Sequence, residues 1–251
     1  MKKKPDTTLS PLYTYHEGMQ WNPVEKVIFE RRSIRVFRKK DVPDSLIKRI
    51  LEAGRFAPSA GNCQPWKFVV IKDPQVIEQM ERDTIRITRL LMWFIDYERG
   101  PVRRILLGTP VRLLARLVPN MLHPIPFNLL QRIAAGSVPV YHNAPVIILL
   151  LVDKRGVGTP SLDAGICGQN MVLAAHSLGL GTCWIGMITL LMKMKKWRKR
   201  FGVTYPFTLD DCLILGWPRG DYDGEIDREI QLVEWIKEGS SWDKTTERQG
   251  E

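Results

Sequence analysis

Cysteine is scarce and scattered in this chain: Cys63, Cys167, Cys183 and Cys212 form no CxxC pair. That spacing offers neither a zinc site nor an iron–sulfur ligand set. An even count would permit disulfides. A chain of 251 residues without a dense cysteine pattern instead reads as a thiol protein of a reducing cytoplasm. No Ser-His-Asp set and no paired carboxylates stand out as a catalytic acid or base, and no GxGxxG dinucleotide fingerprint is present. No apolar run is long enough to span a bilayer; the most apolar, 144–152, falls far short. Met1-Lys2-Lys3-Lys4 resembles a signal n-region, but Pro5-Asp6-Thr7-Thr8 follows where an apolar region belongs, which reads against a signal peptide. Acidic residues are in the minority, giving a formal net charge of +10. Such a balance admits nucleic acid, anionic lipid, an acidic protein or a phosphate-bearing ligand. No nucleic-acid module signature appears, which disfavours the first. At 44% hydrophobic residues, the chain has ample material for one domain, or one domain with a large insertion.

What is present begins with Arg31-Arg32-Ser33-Ile34-Arg35. Three guanidinium groups and a hydroxyl within five positions make an anion trap, because the planar arginine fork matches phosphate geometry. Asn22 and Pro23 announce a helix just before it, and Pro43 opens a second whose apolar positions Leu46, Ile47, Ile50 and Leu51 recur at helical spacing. Ala53-Gly54 reads as its end. The loop 57–66 follows, shaped by Pro58, Gly61, Asn62 and Pro65. Ser59, Asn62 and Gln64 place donors and acceptors close together there. Planar amides suit a heteroaromatic edge of mixed carbonyl and N–H groups, such as a flavin pyrimidine. Cys63 within this loop reads as a small residue, with no sign of a thiolate role.

Residues 68–71 and 145–152 read as buried strands, and Pro74 opens another helix. Between them, 82–140 carries nine arginines against Asp83, Asp96 and Glu98, interleaved with leucines and aromatics. This reads as short basic amphipathic helices that pack on the body and expose arginine to water, compatible with a lid over a hydrophobic substrate. Contact with an anionic membrane surface is the sharper alternative. Residues 163–178 read as a long helix whose small residues allow a partner helix close approach. His176 within it reads as structural. A short strand ends at Trp184-Ile185-Gly186, where Gly186 permits close approach to something flat. Residues 187–200 read as a basic helix, and 213–218 as the last core strand. The organisation expected is an arm over 1–22, one domain over 23–235 with the insertion 82–140, and a polar tail over 236–251.

In this order and spacing, Arg31-Arg32-Ser33-Ile34-Arg35 with Phe37, 57–66, 163–180 and Leu215-Gly216-Trp217-Pro218 resemble the FMN-dependent nitroreductase family. The resemblance implies an α+β fold: a central mixed or antiparallel sheet flanked by helices, in an intertwined homodimer with FMN at the subunit interface. It implies that Arg31, Arg32, Ser33 and Arg35 hold the phosphate and ribityl chain, with Arg228 or Arg219 closing that side. Pro58, Ser59, Ala60, Asn62 and Gln64 of the other subunit would read the ring edge. Trp184, Ile185 and Gly186 would lie along the ring. The activity implied is flavin-borne reduction of a nitroaromatic or quinone-like acceptor, with NAD(P)H, or an acidic ferredoxin- or flavodoxin-like protein, as donor. Reductive dehalogenation or ene-type reduction stands as an alternative on the same fold. A basic membrane- or nucleic-acid-binding protein is the alternative of another class. No metal site and no protein acid or base is expected, since the flavin carries the chemistry.

Overall fold

One strand, Val146–Asp153, holds the architecture together: seven of its eight residues are apolar and all seven are buried. A strand apolar on both faces must be covered on both faces, and the computed structural model shows how. It describes residues 20–95, 105 and 124–220, and every element below lies within the unit Pro23–Tyr222. The helices are α1 (Pro23–Glu30), α2 (Asp44–Arg55), α3 (Pro74–Ile95), α4 (Pro124–Ala134), α5 (Pro160–Ser177), α6 (Ile188–Leu191) and α7 (Lys195–Phe201). The strands are β1 (Trp66–Ile71), β2 (Val146–Asp153), β3 (Gly181–Ile185) and β4 (Phe207–Gly216). They pair in the order β1-β2-β4-β3, each pair antiparallel. Outside them, Ser33 bridges Thr182 in the parallel sense. The chain is therefore α+β, with the sheet antiparallel among its named strands.

Alternation along β2 divides the core. Ile147, Leu149 and Leu151 face a cluster shared with Met80 of α3, Leu191 of α6 and Trp197 of α7. Ile148, Leu150 and Val152 face Ile47 and Ile50 of α2 and Met171 of α5. Three layers follow, with helices on both faces of one sheet.

Several boundaries differ from the sequence reading, each for a packing reason. Gly54 does not close α2, which runs on to Arg55. A Cβ there would stand 2.7 Å from Met171 Cγ, so the glycine serves close approach to α5. α5 starts at Pro160, earlier than 163, with proline in its first turn. β1 begins at Trp66 and is a half-exposed edge strand in which only Ile71 is fully buried. The stretch from residue 82 does not open as short helices. α3 continues unbroken to Ile95, burying Val76, Met80, Thr84, Thr88, Met92 and Ile95. Thr84 and Thr88 hide there because their hydroxyls donate to the carbonyls of Met80 and Thr84, at 2.8 and 2.7 Å. Residues 187–200 divide into α6 and α7, and β4 starts at Phe207, well before 213. Within the expected insertion, 96–104 and 106–123 lie outside the described residues, as does Arg228.

Asp83 clasps α7 to α3. Its carboxylate accepts the Trp197 indole N–H at 2.8 Å and lies 2.6 Å from Lys196 Nζ. Burial alone would raise this carboxyl, but the bonds from Lys196 and Trp197 outweigh it and hold it below its ordinary value. A carboxyl lowered by folding gives stability above its ordinary pKa and loses it as acid protonates the folded group. Asp83→Ala is expected to cost about 1–3 kcal/mol by orphaning a buried indole N–H. The wild type should lose stability on acidification below about pH 4 more steeply than Asp83→Asn, as denaturant melts across that range would record.

Candidate functional site

The arginine segment begins where α1 ends. Arg32 turns back on its own helix: its Nη1 donates to the carbonyls of Phe29 and Arg31, the latter at 3.0 Å, and so caps α1. Beyond it, Ile34 N–H donates to Thr182 O at 2.9 Å. The Ile34 side chain fills the space above Gly181, where a Cβ would lie 2.6 Å from it. The segment is thus pinned to the start of β3, leaving Ser33 and Arg35 exposed and Arg31 half-buried. Arg219 joins the same neighbourhood, because its N–H donates to Val36 O at 3.1 Å.

Both described histidines border this cluster. Burial lowers the His142 pKa, and Arg35 lowers it further. Burial also lowers His176, with Glu30 opposing and Arg31 and Arg32 adding to the effect. Cys183 lies beneath: burial pushes its thiol up, while Arg35, Ser33 and Arg31 pull it down. His142 and its neighbour Asn143 both take positive φ, 51° and 53°, just before β2. Sequence reasoning did not reach His142, whose nearness to Arg35 is created only by the sheet.

The amide loop is a second built feature. Gly61, Asn62 and Gln64 all take positive φ, at 58°, 54° and 47°, a strained state for the two amides. The loop holds it by bonding to itself: Gln64 N–H donates to Ser59 Oγ at 2.9 Å, and Gln64 Nε2 to Asn62 Oδ1 at 3.2 Å. It is docked on the end of β2 and the first turn of α5. Asp153 N–H donates to Pro65 O at 2.7 Å, and Ala60 N–H to the buried Asp163 carboxylate at 3.2 Å. Pro58, Asn62 and Gln64 stay exposed, Ser59 and Ala60 half-buried. Asp163 is therefore expected to set the loop's position. Asp163→Ala should speed amide exchange over 59–64 by roughly fivefold to tenfold, the size of one lost hydrogen bond. Asp163→Asn, which keeps an acceptor, should stay near wild type.

Within one chain the two features stand at opposite corners of the sheet. β1 enters beside Val152 and Thr208, beyond the level at which β3 finishes with Ile185 opposite Cys212. Ser33 sits at the other end, where Thr182 pairs with Leu215 and Leu215 with Val146. β1 and β3 are opposite edges. At ordinary strand spacing and rise the two corners are roughly 25 Å apart, with the sheet between them.

Trp184, Ile185 and Gly186 divide among different surroundings. The Trp184 ring rests over Gly168 and lines a cavity of about 300 Å³ with Leu150, Val152, Ala164 and Asp211. Ile185 points to the opposite sheet face and is buried in the core, so its side chain is closed to a ligand. Gly186 is exposed, and a Cβ there would lie 3.1 Å from Asp211 Oδ1. Asp211 went unread in the sequence because nothing local marks it. All four cysteines are thiols; Cys63 is exposed, and burial pushes Cys167 up to about 12. Among the described residues, no group of three His, Cys, Asp or Glu side chains is placed to hold a metal ion.

Comparison with known proteins matches residues 28–217 to the model of the Nitroreductase family. A protein of Archaeoglobus fulgidus, provisionally named an NADH dehydrogenase/NAD(P)H nitroreductase, is 25% identical over 202 residues, 79% of this chain and 87% of that one. Iodotyrosine deiodinase 1 of Rattus norvegicus is 39% identical over 81 residues, 30% of this chain and 28% of its own. Among solved structures, a Desulfitobacterium hafniense nitroreductase with bound FMN superposes with a TM-score of 0.62. It is 23% identical, and the match covers 86% of this chain and all of that one.

Proposed function

The chain belongs to the nitroreductase family of FMN-dependent oxidoreductases, and on that premise we propose that two identical copies together hold FMN and reduce an electron-poor aromatic or quinone-like acceptor. The observation that carries this reading is the separation of the two donor sets. Arg31, Ser33 and Arg35 at one corner suit a phosphate, and the Ser59–Gln64 loop at the other suits a heteroaromatic edge. One mononucleotide meets both only if a second copy supplies one of them.

The donor chemistry fits the group. Arg31 and Arg35 offer forked cationic donors, Ser33 a hydroxyl, and Arg219 follows on the same rim; Arg32, engaged with the end of α1, contributes charge. Asn62 and Gln64 present planar amides on a loop already fixed in shape, so little ordering entropy remains to be lost on binding. The Gly186 backbone is open to a flat ligand. FMN, when bound, supplies two-electron transfer. The chain's part is to orient it, exclude water and stabilise its anionic reduced form with positive charge.

Apolar surface supports the pairing of copies. α1 buries none of its residues, and Val24, Ile28 and Phe29 are exposed on it. α5 is rich in small and apolar residues and exposes Leu162 and Gly165 along a stripe that continues to Gln169. A second copy would cover that stripe.

NAD(P)H is the donor this reading favours, with an acidic electron-carrier protein as the variant that uses the basic surface. The local likeness to a deiodinase favours a second reading, reductive dehalogenation at the same ring. Purified protein should be yellow and release FMN on denaturation. Anaerobic turnover of a nitroaromatic, a quinone and a halogenated phenol, with NADH and then NADPH, separates the acceptors and donors. A colourless protein that cannot be reconstituted with FMN sinks the proposal.

A further inference from the structure

The outward face of α3 changes character along its length. In its first half it is polar: Glu78 and Arg82 form an exposed ion pair, and Arg86 follows, also exposed. The last two turns instead present Leu90, Trp93 and Phe94, which are 56%, 47% and 46% exposed. Residues 86, 90, 93 and 94 share one stripe at helical spacing, opposite the buried 80, 84, 88, 92 and 95. A helix face that meets only water stays polar; this one turns apolar and aromatic. The Trp93 and Phe94 rings stand edge to face at 4.9 Å.

α4 extends the same surface. Arg89 Nε donates to Ala134 O at 2.6 Å, tying the end of α4 to α3. α4 exposes Leu129 and Arg132. The sequence from 86 to 134 holds eight arginines and no lysine, against Asp96 and Glu98. An exposed apolar tip therefore shares these two helices with the exposed Arg86, Arg89 and Arg132, in a part of the sequence rich in arginine.

We propose that this α3–α4 face docks on the surface of an anionic lipid bilayer. Leu90, Trp93 and Phe94 enter the interfacial zone, and the arginines meet lipid phosphates. Each half of the patch needs this occupant. Tryptophan is favoured where one end of its ring is dry and the other wet. Cationic side chains gain attraction from anionic headgroups while their stems lie along apolar surface. An acidic protein would match the charge and leave the aromatic tip in water. No described helix is long and apolar enough to cross a membrane, so the contact is peripheral. The inference is independent of what the flavin site reduces.

The test is flotation of the full-length protein with vesicles of phosphatidylcholine, with and without phosphatidylglycerol. Binding is expected only with the anionic lipid, weakening in high salt. Trp93→Ser with Phe94→Ser should bind about tenfold less tightly or worse, given the apolar area removed from the interface. Arg86→Glu with Arg132→Glu keeps the aromatic tip, so it reports on charge even where the first variant folds poorly; it should lose the preference for anionic vesicles. Wild-type protein that stays in solution with anionic vesicles overturns the proposal. So does binding that neither variant weakens. If Trp93→Ser with Phe94→Ser instead changes the oligomeric state while wild type ignores vesicles, the patch is an interface between copies and the proposal fails.

Discussion

Replacing Arg31 and Arg35 together by alanine is expected to strip the purified protein of its flavin while leaving it folded. Ser33 and Ile34 between them are pinned to β3 through the backbone and through Ile34 over Gly181, contacts that neither substitution removes. What would be lost is the proposed phosphate site. Each charge-assisted bond to a phosphate contributes about 1.5–3 kcal/mol. Two of them amount to roughly a hundredfold to ten-thousandfold in FMN dissociation constant. Arg32→Ala should behave in the opposite way. It removes the donor that caps α1, so it should lower stability by about 1 kcal/mol and weaken FMN far less. Titration of apoprotein with FMN, read by quenching of flavin fluorescence beside a thermal melt, separates the two. An unchanged FMN affinity in the double variant would remove the phosphate assignment.

Gly168→Ala is the substitution expected to damage the fold most for its size. A Cβ there would stand 2.3 Å from Trp184 Cη2 and 2.4 Å from its Cζ2. An indole bends nowhere along its length, so relief requires either that α5 lift from the sheet or that the ring swing into the cavity it lines. Overpacking of this kind costs about 1–3 kcal/mol. Trp184→Phe in the same chain shortens the ring and should recover most of the loss, and chemical denaturation of the three variants gives the cycle. Because the cavity shares Trp184, the single variant is also expected to alter whatever binds there, and the double variant to restore stability before it restores binding.

How much of this could be read beforehand follows from the range of each signal. β2 announced itself because it is apolar on both faces, and α2 because its apolar residues keep helical spacing. The arginine segment and the amide loop were legible for the same reason: each concentrates its chemistry within a few consecutive positions. The unbroken α3 was not, since Thr84 and Thr88 look like surface residues until their hydroxyls are seen bonded to the preceding turn. Gly54, Gly168, Gly181 and Gly216 serve as contact points between elements far apart in sequence, which no local pattern shows. Gly54 was accordingly read as a helix end. His142 and Asp211 reach their neighbourhoods only through strand pairing. Asp163 was read as a helix start, when its carboxylate is what holds the amide loop.

The account turns on one ligand being shared by two chains, and hybrid dimers test that directly. Chains carrying Arg31→Ala with Arg35→Ala are mixed with chains carrying Asn62→Ala with Gln64→Ala, and the hybrid is purified by differential tags. If the phosphate and ring-edge groups come from opposite copies, one of its two sites is wholly intact, and the hybrid binds one FMN per dimer at wild-type affinity. If each chain serves its own flavin, both sites are damaged; a hybrid without any site of wild-type affinity would contradict the account.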